Sequence, residues 1–149
     1  MTHHRTTVAV LALIVGLTSF VLAQHDPLFG TWKLDLAKSN ARGGSGPSSV
    51  RRYEPFERDG VKFTIDTTNA DGTHTTGGYS GHFDGKDYPV MGTNADAVSL
   101  KRLDAYTFEA TLKRGGKVVN VVRHVVSKDG RTLTTTVSGS STPVVWDKE

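Results

Sequence analysis

Asp-Gly occurs at 59–60, 71–72, 84–85 and 129–130, and Gly-Gly at 115–116, so residues able to adopt positive φ punctuate the chain at short intervals. Between these steps lie short runs rich in Val, Thr, Tyr and Phe. Val61-Lys62-Phe63-Thr64-Ile65-Asp66 alternates apolar and polar residues, as does the run from Tyr106 to Lys113. This is the period of a strand with one dry and one wet face. Candidate strands fall at 30–35, 49–56, 61–67, 73–83, 86–92, 97–103, 106–113, 117–127, 131–139 and 143–148. Beyond residue 23 no stretch shows helical periodicity over a useful length. The best helical candidate, Leu34 to Ser39, is hardly more than a turn. The expected fold is therefore all-β, an antiparallel up-and-down meander of about eight to ten strands closing into a barrel. A two-sheet sandwich would need longer crossing connections.

The first 23 residues are set apart from that fold. Met1 to Arg5 form a positively charged start, Val8 to Leu22 are almost continuously apolar, and Val21-Leu22-Ala23 offers a cleavage site. This is the pattern of a secretory signal peptide. At about 15 residues the apolar run is too short for a spanning helix. No Cys follows it to carry a lipid, so the expectation is a chain free in the periplasm or outside the cell, without a stable membrane anchor. Residues 24–149 then have the size of a single β-barrel domain.

Composition narrows the function classes. The chain holds 18 Lys and Arg against 15 Asp and Glu, a balance that argues against a nucleic-acid partner. It has no cysteine, so stability in an oxidising compartment must come from sheet closure rather than disulfides. A monomer is the expected state.

The search for chemistry is mostly negative. Gly78-Tyr79-Ser80-Gly81-His82 has His where a nucleophile elbow needs its final Gly. Gly77-Gly78 is expected to mark a bulge or bend in a long strand. His74 and His82 share a strand parity and Asp84 follows, but eight residues of strand separate the imidazoles by more than about 20 Å. Asn69-Ala70-Asp71-Gly72 has Thr67 and Gly78 where a calcium loop needs its end ligands, and reads as a turn. No catalytic residue, metal ligand or cofactor is assigned, and the chain is not expected to be an enzyme. The loose stretch Ala41-Arg42-Gly43-Gly44-Ser45-Gly46-Pro47-Ser48-Ser49 is either a mobile connection or a cover over one barrel mouth.

Gly30-Thr31-Trp32-Lys33-Leu34 resembles the first strand of the calycins, the lipocalins and fatty-acid-binding proteins, in which Gly-x-Trp plugs the closed end of the barrel. The runs Val122 to Val126, Lys128 to Leu133 and Val144 to Lys148 are similar to the last three strands of a fatty-acid-binding protein. Over nearly its whole length after the leader, the chain also resembles a set of small, secreted, uncharacterised bacterial proteins sharing "GTWKL", "DGKDYPV", "VSLKR" and a "DKE"-like end. The resemblance implies a ligand-carrying barrel. It also implies a departure, because Val144 and Trp146 stand where fatty-acid-binding proteins have the Arg and Tyr that clamp a carboxylate. Arg123 alone matches an interior Arg, so a more neutral ligand is expected.

Both faces of the run from Lys117 to Ser127 are apolar with a polar interruption, leaving open whether Arg123 or His124 faces the lumen. Trp32, Phe63, Tyr79, Phe83, Tyr88, Phe108 and Trp146 come from well-separated strands that a closed meander would bring together. The ligand-binding set expected from these arguments is Trp32, Phe63, Tyr88, Phe108, Arg123 and Trp146. The expected function is that of a lipocalin-like protein holding a small apolar or amphipathic ligand. The rival is a filled barrel that acts through its loops as a protein-interaction or inhibitor module.

Overall fold

The computed structural model describes residues 26–39 and 48–149. The leader and residues 40–47 of the Gly/Ser stretch lie outside the described residues. The strands are β1 (Gly30–Asp35), β2 (Ser48–Phe56), β3 (Gly60–Thr68), β4 (His74–His82), β5 (Asp84–Met91), β6 (Ala97–Asp104), β7 (Thr107–Arg114), β8 (Lys117–Val126), β9 (Thr132–Val137) and β10 (Val144–Lys148). Each pairs antiparallel with its neighbours in sequence, and β1 pairs with β10, so the ten strands form a closed meander barrel. No helix occurs among the described residues. Closure leaves no free sheet edge.

The short helical candidate is instead the end of a strand and a turn. Leu34 and Asp35 complete β1, after which the Asp35 carboxylate accepts the Lys38 N–H at 2.9 Å and its carbonyl accepts the Ser39 N–H at 3.0 Å. The Ser39 hydroxyl then donates to the Asp35 carbonyl at 2.6 Å.

Two glycine steps act differently from the sequence expectation. β4 passes to β5 through Phe83 alone, and Asp84-Gly85 lies inside β5 rather than in a hairpin loop. Gly85, at φ +76°, accompanies a register shift against β6 between Asp84 and Asp87. Gly77-Gly78 is not a bulge, because β4 keeps an unbroken register with β3 through both residues. Close packing requires them instead: a Cβ on Gly78 would stand 2.3 Å from the Phe63 carbonyl oxygen. Along this seam β4 meets β5 only at Gly78↔Met91 and Tyr79↔Val90, whereas β3 and β4 pair along their whole length.

Alternation decides what fills the interior. Trp32, Tyr53, Val61, Val98, Leu100, Phe108 and Leu133 are all fully buried. Each such large apolar side chain contributes roughly 1.5–3 kcal/mol by leaving water.

Candidate functional site

β1 starts at one end of the barrel, and the residues before it close that end. Leu28 and Trp32 are buried there, with the Trp32 indole N–H donating to the Leu28 carbonyl at 2.9 Å. The Lys148 ammonium lies 4.9 Å from the Trp32 ring centroid and donates to the Pro27 carbonyl at 3.1 Å. Gly30 has φ +139°, and a Cβ there would lie 2.7 Å from Lys148 Cε, so the plug requires glycine at this position. Arg102 pairs with Asp26 and stacks over Phe83 at 4.0 Å. Thus Trp32 belongs to a plug.

Above the plug an aromatic row crosses three strands through the register pairs Tyr53↔Phe63 and Phe63↔Tyr79. Ring centroids are 4.9 Å apart at each step. On the opposite wall His124 stacks flat on Phe108, with 4.2 Å between centroids and 2° between planes. Tyr53 spans the lumen between these walls. Its ring meets Phe108 edge-on at 6.1 Å and its hydroxyl lies 3.4 Å from His124 Nδ1.

Next to this bridge is a cavity of about 150 Å³, with Phe63, Ile65 and Leu112 in its apolar wall. Thr93 also lines it, placing it in the half of the barrel toward the 92–96 connection and away from the plug. Its polar residues are Arg51, Tyr79, Thr93 and His124. Arg51 faces inward because it pairs across the ladder with Trp32, which is itself inside. The Arg51 guanidinium is held 4.1 Å from the Trp146 ring and 5.7 Å from that of Phe63. Such stacking suits its planar, delocalised charge.

Two donors at this cavity are buried without a hydrogen-bond partner, Arg51 Nε and the Tyr79 hydroxyl. Leaving one such group unsatisfied costs about 1–3 kcal/mol. Burial raises Tyr79 well above the ordinary tyrosine value, with Tyr53 adding to the rise and Arg51 opposing it, so the phenol remains a donor. Burial pushes His124 well below its ordinary value, and the Arg51 charge pushes the same way. The ring is accordingly neutral near pH 7. No carboxylate lines the cavity, and Arg51 forms no ion pair among the described residues, which include every Asp and Glu of the chain.

Of the residues expected from sequence to bind ligand, Phe63 lines this cavity, Trp146 underlies its arginine and Phe108 supports its histidine. Trp32 lies in the plug. Tyr88 is also elsewhere: its hydroxyl donates to Asp84 at 2.9 Å, and its ring lies 5.9 Å from that of His82, at the end of β4 nearer the plug. Arg123 is corrected to the outer surface, where it pairs with Glu109 directly across β7 at 2.7 Å. His124 takes the inward position instead, and the lumenal cation is Arg51, which the sequence reading did not select. His74 and His82 occupy opposite ends of β4, bonded to Thr68 and Glu57.

The closed ten-stranded meander is consistent with a calycin-like barrel. No protein-family model matches the chain, and no curated protein matches it either.

Proposed function

We propose that this chain is a secreted binding protein that takes a small apolar or amphipathic molecule into its barrel, acting by binding rather than by catalysis. The observation that carries this reading is the interior cavity, with its largely apolar wall and few polar groups. That composition is typical of small-molecule sites. Plugging at one end and clustering of the 69–73, 92–96, 115–116 and 138–143 connections at the other supports a single route of access. The leader-like segment supports export.

Native mass spectrometry of exported protein, purified without detergent, tests the proposal when combined with solvent extraction of bound material. The expected result is a defined small molecule that copurifies or, for apo protein, saturable uptake of an environment-sensitive fluorescent apolar probe. A clean apo mass with no uptake of small probes overturns the reading and favours the loops as a protein-interaction surface.

A further inference from the structure

The cavity carries information about the chemistry of its occupant, and this step rests on the binding reading above. Arg51 and Tyr79 both line this space, and the Arg51 Nε and the Tyr79 hydroxyl are each buried without a hydrogen-bond partner. Arg51 and Tyr79 come from β2 and β4, which flank β3 and pair with it, so both stand on the lumenal face of one three-strand ladder. The Arg51 face is taken up by Trp146 and the arginine side chain also hydrogen-bonds the Tyr53 hydroxyl, which leaves Nε as the N–H without an acceptor. The remaining polar residues, Thr93 and His124, supply no negative charge to offset the guanidinium.

We propose that the occupant is a compact organic acid, whose carboxylate is received by Arg51 and Tyr79 and whose apolar body packs against Phe63, Ile65 and Leu112. The size follows from the volume. A cavity of about 150 Å³ is one that accommodates a benzene-sized body. An aromatic or short-chain acid fits, and a long-chain acid does not. The charge follows from the pairing rule: a half-buried guanidinium that lines an apolar cavity, stacks on Trp146 and has no carboxylate from its own chain is suited to an anionic ligand, and a planar carboxylate matches its planar fork. The missing Arg and Tyr of the last strand therefore do not make the lumen neutral, because the cation enters from β2.

Isothermal titration calorimetry on exported, delipidated protein, with benzoate, benzyl alcohol and hexadecanoate as probes, tests this. Benzoate is expected to bind at least tenfold more tightly than benzyl alcohol, with hexadecanoate weakest. Arg51→Met should bring benzoate down to the level of benzyl alcohol, and Tyr79→Phe should weaken benzoate about threefold. The comparison of probes on unaltered protein stands even where a variant folds poorly. Equal affinity for benzoate and benzyl alcohol overturns the acid assignment and leaves the binding reading intact. Preference for hexadecanoate overturns the size assignment alone. Failure of all three probes, with no copurifying molecule, overturns both readings.

Discussion

The Tyr53 hydroxyl of β2 reaches to 3.4 Å from Nδ1 of His124 on β8, so two strands that share no ladder are joined through the middle of the barrel. This contact lies beside the cavity, which His124 also lines. His124 therefore links two walls of the barrel, and its burial holds its pKa well below the ordinary histidine value.

The depressed pKa of His124 makes stability fall with acid. Its folded value lies below the ordinary 6.5, so the unfolded chain binds the additional proton as pH drops. The contribution is fully present above about pH 6.5 and is lost as pH falls from there toward the lower folded value, at up to about 1.4 kcal/mol per pH unit. Urea unfolding between pH 7 and 5 should show that slope, and His124→Gln should flatten it. Carboxylates such as Asp71, held below 3.8 by its bonds to Thr73, act at lower pH.

Trp32→Phe keeps an aromatic plug but removes the indole donor from the Leu28 carbonyl. The lost bond and the smaller ring together should cost about 2 kcal/mol. Chemical denaturation should show a lower midpoint with an unchanged slope.

Arg123→Leu serves as the outer-surface control. Its partner Glu109 is within 2.7 Å, but the arginine side chain is more than half exposed, so the pair contributes no more than about 1 kcal/mol. Affinity for any lumenal ligand should stay within twofold of the unaltered protein in a titration. A large loss of affinity with folding retained would contradict the outward placement.

Gly92→Ala should weaken the seam between β4 and β5. Gly92 has φ +73°, and a Cβ there would come within 2.3 Å of the Thr76 carbonyl oxygen. The left-handed backbone alone costs an alanine about 1–2 kcal/mol. Hydrogen exchange in His74–His82 and Asp84–Met91 should accelerate before that of β7 and β8.

The strands were largely legible because their period of two and their Asp-Gly boundaries are local properties. Lys117 to Val126, for example, needed only its own sequence to be read as a strand. What escaped depended on neighbours. Asp84-Gly85 has the composition of a hairpin turn, yet β5 already pairs with β6 at Asp84, and the turn is taken by Phe83. In β2, Ser49, Arg51 and Tyr53 share one face while Val50, Arg52 and Phe56 share the other, so each face has an arginine and an apolar residue. Only the pairing with inward-facing Trp32 in β1 distinguishes Arg51 from Arg52. Arg123 and His124 pose the same problem in β8, where the stack on Phe108 decides the parity.

The ladder between β1 and β10 has a kinetic meaning. Trp32 meets Lys148 and Leu34 meets Trp146, residues at opposite ends of the described chain. A growing polypeptide can therefore build the hairpins from β1 to β9 but cannot finish the ring until β10 is made. Until then it is a curled sheet with two unsatisfied borders, each able to recruit another strand. A chain stopped before Val144 is accordingly left as a sticky open sheet rather than a smaller barrel, and the final five-residue strand acts as the clasp that makes the molecule self-contained.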